Sequence, residues 1–284
     1  MRITVETLVH ASLSAVWQAW TTPADILQWN AASADWHTTQ AEVDLREGGT
    51  FRSRMEARDG SMGFDFEGVY TEVLPLQRLA ARFGERALEV DFTPLAEGVR
   101  VVETFEAETT FSPEQQRQGW QAILDNFARH VQARPGAVED LAAATLRTSR
   151  VLAAGPQAVW AAIADGERLA RWWGPAGFSN VFETFDFRPG GAWRFDMIGP
   201  DGQRYANACR FGALRPAERL TVHHVVEPVF TLAVTLAPAE AGHTRLDWAQ
   251  TFADGRTAGQ LQALCGPANE QNLDRLAAEL ARVG

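Results

Sequence analysis

The chain has 284 residues and a formal net charge of −10, which argues against a nucleic-acid or anionic-membrane partner because such partners need a basic surface. All 26 basic residues are arginine, so the sequence excludes a Schiff-base lysine, a lysine general base and a Walker-type phosphate loop. Residues 1–135 hold 12 Arg against 20 acidic residues and residues 136–284 hold 14 against 16, so a small anionic ligand fits the second half better.

The first half begins with an alternating strand over residues 3–10, which two short helices follow. Ser12 or Ser14 caps the first helix, and Pro23 begins the second. Ser112-Pro113-Glu114-Gln115 predicts a capping box at the start of a final helix. Between these helices, short apolar runs separated by turn residues predict strands at 41–46, 50–57, 63–74, 77–83, 86–93 and 99–107. Their close spacing favours antiparallel hairpins over βαβ units.

The second half repeats this plan. A strand at 146–152 precedes a helix that starts at Gly155-Pro156 and a short helix that ends near residues 171–175. A closing helix is predicted from about Pro267 to Arg282. The strands between them are predicted at 180–187, 192–198, 203–214, 218–226, 229–237 and 244–252.

One turn pattern occurs in both halves. Asp44-Leu45-Arg46-Glu47-Gly48-Gly49-Thr50-Phe51 and Asp186-Phe187-Arg188-Pro189-Gly190-Gly191-Ala192-Trp193 share the order of acid, apolar residue, arginine, paired glycines and aromatic. Glycine accepts a positive φ, so each copy predicts a tight turn between two strands. Recurrence at half the chain length indicates a tandem duplication, with domains at 1–135 and 145–284 and a linker at 136–144.

Further residues recur in both halves. Val16-Trp17 with Leu27-Gln28-Trp29 matches Val159-Trp160 with Arg171-Trp172-Trp173, Asp59-Gly60 matches Asp201-Gly202, Thr104-Phe105 matches Thr251-Phe252, and Gly119-Trp120 to Leu124-Asp125 matches Leu273-Asp274-Arg275-Leu276 in the closing helices. On these residues the chain resembles, twice and over nearly its whole length, the AHSA1-like branch (activator of Hsp90 ATPase homologue) of the START/Bet v 1-like (SRPBCC, polyketide-cyclase-like) superfamily. The second half departs from the pattern at Asn269, which stands at the position of Trp120, and in a longer segment at 254–266.

The resemblance implies an α+β protein with two tandem helix-grip domains. Each is expected to be a curved seven-stranded antiparallel sheet around a long C-terminal helix, with two short helices after the first strand. In that superfamily the cavity between sheet and helix holds apolar ligands. The co-chaperone of this name also carries an N-terminal Hsp90-binding domain for which these residues offer no counterpart, so Hsp90 is a secondary expectation as a partner.

Strand alternation predicts the side chains that line the two cavities. An aromatic wall with a few polar groups suits a small-molecule pocket, although the same stripes also suit a filled core. The ligand-binding candidates are Trp193, Phe195, Tyr205, Asn207, His224, Trp248 and Gln250 in the second half, and Phe64, Phe66, Tyr70, Val101, Glu103 and Trp120 in the first.

These patterns predict binding of a small hydrophobic or aromatic ligand. One alternative is a cyclase- or dehydratase-like enzyme on a polyketide-type substrate, with Glu103 or His224 as acid or base. Another is an Hsp90-linked interaction protein. Adjacent strand residues point to opposite faces, so at most one of His223 and His224 can enter a cavity. Asp35-Trp36-His37 is expected in a loop, as a packed segment, a lid or a carboxylate–histidine pair.

The sequence predicts no catalytic residue, metal or cofactor, because it shows no Ser-His-Asp order, metal-ligand spacing or phosphate loop. Cys209 and Cys265 are too few and too far apart for a zinc knuckle or a CxxC redox pair. There is no cationic start followed by an apolar run and no apolar span of about 18 residues. A cytoplasmic protein without membrane insertion is therefore expected.

Overall fold

The computed structural model describes residues 1–282. The chain divides into two compact units, and the boundary in the sequence falls between Ala142 and Ala143. Each unit holds one seven-stranded antiparallel sheet. A short helix, α4 (Ala137–Ala143), runs through the predicted linker. Among the described residues, no helix is both long enough and apolar enough to cross a bilayer.

The first unit follows the order strand, two helices, six strands and helix. Its helices are α1 (Leu13–Thr21), α2 (Pro23–Trp29) and α3 (Pro113–Gln132). Its strands are β1 (Arg2–Val9), β2 (Trp36–Val43), β3 (Thr50–Ala57), β4 (Gly63–Leu74), β5 (Arg78–Phe83), β6 (Arg86–Leu95) and β7 (Gly98–Glu106). They are arranged as β1-β7-β6-β5-β4-β3-β2, so six consecutive strands form a meander and β1 pairs with the last of them.

The second unit has the same order of elements. Its helices are α5 (Pro156–Ala164), α6 (Gly166–Trp172) and α7 (Gly255–Ala281). Its strands are β8 (Thr145–Leu152), β9 (Ser179–Phe185), β10 (Ala192–Ile198), β11 (Arg204–Arg215), β12 (Arg219–His224), β13 (Phe230–Pro238) and β14 (Thr244–Phe252). The sheet order β8-β14-β13-β12-β11-β10-β9 mirrors the first. The predicted α+β architecture of two tandem helix-grip domains is confirmed.

The repeated glycine pair builds the turn that leads into β3. Gly48 has a φ of 77°, in the left-handed region that favours glycine. A Cβ on Gly49 would lie 2.1 Å from the carbonyl oxygen of Asp44, so no side chain fits there. Arg46 Nε donates to Asp44 Oδ1 at 3.1 Å and braces the same turn. The acidic residue, the arginine and both glycines of the motif therefore have structural roles in the turn.

The second copy of the turn, which leads into β10, has the same geometry. Gly190 has a φ of 78°, and a Cβ on Gly191 would lie 1.9 Å from the carbonyl oxygen of Asp186. Arg188 Nε donates to Asp186 Oδ1 at 3.1 Å. The two copies of the turn therefore share the same backbone geometry and the same arginine–aspartate hydrogen bond.

The closing helix of each unit packs its apolar stripe against the sheet. In α3 the stripe includes Leu124, Phe127 and Val131, and the predicted capping box at Ser112 is present. Burial of such side chains contributes roughly 1.5–3 kcal/mol each, which holds the helix on the sheet.

Helix α7 starts earlier than predicted, at Gly255 rather than near Pro267. The side chain of Asp254 accepts a hydrogen bond from Thr257 N at 2.8 Å and so caps the new start. Pro267 therefore lies inside the helix. The prediction was wrong because it took this proline as a helix start.

The segment that holds Asp35, Trp36 and His37 was predicted as a loop, but β2 begins at Trp36. Trp36 pairs with Ala57 and His37 with Glu56 of β3. The register shifts between Thr38 and Gln40, and this irregularity interrupts the alternation by which a strand is recognised in sequence. The nitrogen Nδ1 of His37 lies 3.5 Å from the guanidinium of Arg58, which contacts it instead of Asp35.

Candidate functional site

The first unit contains a cavity of about 550 Å³ between the inner face of its sheet and the helices α2 and α3. This volume lies within the range of about 300–1,000 Å³ that is usual for small-molecule sites. Most of its wall is apolar. Its aromatic residues are Trp20, Trp29, Trp36, Phe51, Phe64, Phe66, Tyr70, Phe83, Phe111 and Trp120.

Trp120 of α3 is at the centre of an aromatic cluster in this wall. Its ring stacks on Phe105 of β7 with centroids 3.9 Å apart. Phe66 and Phe83 meet the same indole at centroid distances of 5.8 and 6.0 Å. Rings from three strands thus converge on the closing helix, which is the arrangement expected when a sheet curls around a helix.

Glu103 on β7 is the buried acidic residue of the cavity wall. Only 6% of it is exposed, and within residues 1–282 its carboxyl group has no hydrogen-bond or ion-pair partner. Its neighbours across the ladders are Val5 and Val90. Burial raises the pKa of Glu103 to about 8, so the carboxyl group is mainly protonated at neutral pH.

The buried side chains of Ser53 and Tyr70 also line the cavity. Neither hydroxyl group has a hydrogen-bond partner among the described residues. Burial raises the pKa of Tyr70 to about 12, so the phenol stays neutral over the physiological range. A bound molecule would therefore meet two neutral hydroxyl groups and one carboxyl group, together with the amides of Asn30 and Gln116, in a largely apolar wall.

The mouth of the cavity carries charged and exposed residues. Glu42, Arg86 and Glu108 belong to its lining. The guanidinium carbon of Arg86 lies 4.2 Å above the ring of Phe83. Phe64 and Phe111, which also line the cavity, are 48% and 61% exposed, so the apolar wall continues to the surface.

Backbone pairing identifies the equivalent positions in the second unit. Ser53 of β3 pairs with Phe66 of β4, and Phe195 of β10 pairs with Asn207 of β11. Both pairs lie two residues beyond the aromatic residue that follows the glycine turn. Ser53 and Phe195 are therefore equivalent.

A second equivalence joins the last strands of the two units. The first strand of each unit ends on a pair with the last strand, at Val99 in one unit and Thr244 in the other. Glu103 and Trp248 both lie four residues after these positions. The second unit thus has a tryptophan where the first has the buried carboxyl group.

A third equivalence follows the second helix of each unit. The indole nitrogens of Trp29 and Trp172 each donate to a carbonyl oxygen of the preceding helix at 3.0 Å. The residues that follow them, Asn30 and Trp173, are therefore equivalent. Asn30 lines the cavity of the first unit.

In the second unit these larger side chains pack against one another. The ring of Trp173 lies 4.9 Å from that of Trp193 and 5.6 Å from that of Trp248, between centroids. Trp193 and Phe195 stack with centroids 4.5 Å apart. All four belong to or contact the buried core. Their equivalents in the first unit, Asn30, Phe51, Ser53 and Glu103, all line the cavity.

Arg275 of α7 holds Trp173 in this position. Its Nη1 donates to the carbonyl oxygens of Trp173 and the next two residues at distances of 2.8 to 3.2 Å. Asn180 Nδ2 also donates to the Trp173 carbonyl, at 2.7 Å. In the first unit, the corresponding loop receives a hydrogen bond from Asn126. Hydrogen bonds from Arg275 and Asn180 to its backbone carbonyl oxygen thus hold Trp173 in place.

The structure distributes the predicted ligand-binding residues unevenly. Phe64, Phe66, Tyr70, Glu103 and Trp120 line the cavity of the first unit. Val101 is fully buried and is not among its lining residues. In the second unit, Trp193, Phe195 and Trp248 are core residues, and Tyr205 is 44% exposed.

His224 and Gln250 of the second unit are engaged by neighbours. His224 Nδ1 lies 2.9 Å from the carbonyl oxygen of Pro228, and its Nε2 lies 3.2 Å from Asn207 Oδ1. Burial lowers the pKa of this histidine. Gln250 Oε1 accepts from Asn269 Nδ2 at 2.9 Å. The ring nitrogens of His224 and the side-chain oxygen of Gln250 are therefore already engaged and are not free to bind a ligand.

The Gln250–Asn269 pair stands where the first unit has the Phe105–Trp120 stack. Phe105 lies six residues after Val99, and Gln250 lies six after Thr244. The predicted match of Thr104-Phe105 with Thr251-Phe252 is therefore displaced by two residues. Similar sequence at the ends of the strands suggested a register that the ladders do not have.

Several lining residues were outside the predicted set. Trp36 was missed because its strand was taken for a loop. Alternation on β3 predicts Phe51, Ser53 and Met55 on the cavity face, and all three line the cavity. On β5, Leu79, Ala81 and Phe83 alternate in the same way and line the cavity, but they were not predicted.

Comparisons with known proteins agree with this architecture. A family model described as "Activator of Hsp90 ATPase homolog 1-like protein" matches residues 10–132 and 153–281. An AHSA1-like protein from Aeromonas hydrophila is 48% identical with a TM-score of 0.45, over 47% of this chain and 93% of that chain. A protein from Cytophaga hutchinsonii is 42% identical with a TM-score of 0.42, over 46% of this chain and 92% of that chain.

A third solved structure, from Chromobacterium violaceum, is 32% identical with a TM-score of 0.43, over 47% of this chain and 95% of that chain. A comparison with curated proteins gave no match. Because the family model matches two segments that together cover most of the sequence, the chain belongs to the AHSA1-like family and contains the family's domain twice.

Proposed function

We propose that this protein binds a small hydrophobic or aromatic molecule in the cavity of its first unit. The observation that carries the proposal is the contrast at three equivalent positions, where Asn30, Ser53 and Glu103 line an open space and their counterparts are packed aromatic rings. In this proposal the second unit does not bind the ligand, because its own side chains fill its interior.

The composition of the wall supports an apolar ligand. Aromatic and aliphatic side chains provide area for burial, which gives affinity of roughly 25 cal/mol per Å² before the costs of association. Ser53, Tyr70 and Glu103 provide a few polar groups that fix orientation. Sparse polar groups in a large apolar wall are typical of sites that recognise small molecules.

The experiment exchanges residues between the units. Ser53→Phe and Asn30→Trp place the second unit's side chains in the first cavity, and the probe is the neutral fluorophore N-phenyl-1-naphthylamine. We expect saturable binding to the wild type and at least about a tenfold loss in either variant, since the added phenyl or indole ring fills the space the probe needs.

The matched control is Ser61→Phe, which makes the same chemical change at an exposed hairpin residue outside the cavity lining. It should bind the probe like the wild type. Unchanged binding by Ser53→Phe, with a native circular dichroism spectrum, would refute the proposal.

A second candidate function is a cyclase- or dehydratase-like activity that uses Glu103 as a general acid. Its support is the buried carboxyl group on the cavity wall, whose raised pKa suits proton transfer near neutral pH. His224 is a weaker candidate because both ring nitrogens contact neighbouring oxygens. Chemical change of a bound polyketide-type compound, lost in Glu103→Gln, would distinguish catalysis from binding.

An Hsp90-linked role is the third candidate, and its support is the description of the matching family model alone. Co-elution with a bacterial Hsp90, or stimulation of its ATPase, is the measurement that tests it.

A further inference from the structure

We propose that the ligand of the first-unit cavity carries a basic nitrogen, and that its ammonium group lies against the carboxylate of Glu103. This inference rests on the proposed function and adds the ligand's chemical class, an aromatic or alicyclic amine. It follows from the surroundings of Glu103, the aromatic rings beside it and the charges at the cavity mouth.

The first argument is that Glu103 faces the cavity without a partner. A buried carboxyl group normally pairs with a cation or with hydrogen-bond donors, because an isolated one is costly to bury. The residues opposite Glu103 on the flanking strands are Val5 and Val90, and neither side chain can donate a hydrogen bond. The missing partner therefore has to come from the cavity.

The second argument is that aromatic rings share the inner face of the sheet with Glu103. Glu103 precedes Phe105 by two residues and so shares its face of β7, and Phe105 stacks on Trp120. Phe66 and Phe83 complete the group around Trp120. An ammonium group is attracted to the faces of such rings as well as to a carboxylate.

The third argument is electrostatic. Residues 1–135 hold 12 Arg against 20 acidic residues, so this unit attracts cations and repels anions. Glu42 and Glu108 both line the mouth, with Arg86 as the cation in the lining. A neutral ligand would gain nothing from this field, and an anionic one would be opposed by it.

Proton exchange gives the proposal a distinct signature. Before an amine binds, the Glu103 carboxyl group is mainly protonated at pH 7. An amine arrives as an ammonium ion, the carboxyl O–H releases its proton to solvent, and an N–H···O ion pair forms. About one proton is therefore released per amine bound. The other titratable groups of the lining are Tyr70, Glu42, Arg86 and Glu108.

The test compares two probes of the same shape, 2-naphthylmethylamine and 2-naphthylmethanol. Isothermal titration calorimetry at pH 7, in two buffers of different ionisation enthalpy, measures both affinity and proton release. We expect the amine to bind at least about tenfold more tightly than the alcohol. We also expect the release of about one proton with the amine and none with the alcohol.

The variant Glu103→Gln keeps the shape of the side chain and removes its charge. In this variant the amine preference should fall below about twofold and the proton release should disappear, while the alcohol binds within about threefold of the wild type. The control Glu67→Gln makes the same change on the outer face of β4, where the side chain is exposed. It should keep both the preference and the proton release.

Equal affinity for the two probes in the wild type would overturn the inference while leaving the proposed function intact. An amine preference that persists in Glu103→Gln would also overturn it, because the ammonium group would then lie elsewhere. Wild-type proton release decides the matter even if the variant fails to fold. Failure of both naphthyl probes and of N-phenyl-1-naphthylamine would instead refute the proposed function.

Discussion

The two units share a backbone plan and differ in their interiors. Ser53 and Glu103 line an open cavity in the first, whereas Phe195 and Trp248 pack into the core of the second. The glycine turns and the strand orders around them are the same. The same helix-grip backbone plan therefore accepts either small polar or large aromatic side chains at these inner positions.

The interior of each unit contains polar groups that are costly to bury. The first unit carries a buried carboxyl group without a partner at Glu103. The second has the buried indole nitrogens of Trp193 and Trp248, which lack hydrogen-bond partners among the described residues. Each indole nitrogen without a partner costs roughly 1–3 kcal/mol. In the second unit this cost is offset by the large aromatic area that the rings bury.

The largest effect is expected from giving the second unit the first unit's acidic residue. Trp248→Glu removes a buried ring that contacts Trp173 and introduces a carboxyl group without a partner. We expect a loss of about 5 kcal/mol in the unfolding free energy of the second unit. Urea denaturation, with hydrogen exchange resolved by unit, measures it.

Trp248→Phe is the control for this substitution, because it keeps an aromatic ring and should cost about 1–2 kcal/mol. A loss of less than about 2 kcal/mol in Trp248→Glu would show that this ring does not fill the interior, and the contrast between the units would fail.

The next effect concerns the acidic residue of the first unit. The pKa of Glu103 is raised from 4.5 to about 8 on folding, so the folded state holds its proton over a range in which the unfolded state has lost it. Stability of the first unit should therefore fall as pH rises, by about 3 kcal/mol between pH 5 and pH 8. Glu103→Gln should remove this dependence and be the more stable protein at pH 8.

Hydrogen exchange of the first sheet's amides at the two pH values measures the difference. Glu67→Gln, on the exposed face of the same sheet, should keep the wild-type slope. A wild type that is equally stable at pH 5 and pH 8 would contradict the burial of an unpaired carboxyl group.

The smallest effect concerns a contact between helices that both units make with different charges. In the first unit, Asp25 of α2 lies 2.9 Å from His130 of α3. In the second, Glu279 of α7, whose side chain is 2% exposed, pairs with Arg171 at 2.7 Å and Arg168 at 3.2 Å. Hydrogen bonds from Arg171, and then from Arg168, lower the pKa of Glu279 against the opposing effect of burial.

A carboxyl group with a lowered pKa stabilises the fold above its unfolded pKa of about 4.5, and that contribution disappears as pH falls. We therefore expect Glu279→Gln to destabilise the second unit by about 2 kcal/mol at pH 7 and by progressively less towards pH 3. Glu270→Gln, on the same helix but 49% exposed, should cost less than about 1 kcal/mol. Equal costs for the two variants would mean that burial adds nothing to the Glu279 contact.

Much of the fold could be predicted because it depends on local patterns. Gly48 and Gly190 mark turns by their backbone requirement, and alternation marks most of the strands. The start of β2 was missed because a register shift after Thr38 interrupts the alternation. The start of α7 was missed because Pro267 lies inside the helix, where proline is rarely accommodated.

The candidate site could be predicted only in part. Alternation places Glu103 on the inner face of β7, and the structure has it there. It cannot show whether an inner face borders a space or another ring. Trp173 illustrates this limit, because it follows a helix rather than a strand and reaches the interior through backbone contacts with Arg275. Such tertiary contacts have no periodic signature in the sequence.

The glycine turn has a consequence for how such duplicated chains are interpreted. At Gly49 and Gly191 even a methyl group would collide with the main chain, so substitution there is penalised in both copies alike. Interior positions face no shared penalty of this kind and are free to diverge. Sequence similarity between the two halves of a chain therefore reflects the backbone scaffold that they share. Differences in function between the halves should be sought at the interior positions where their residues differ.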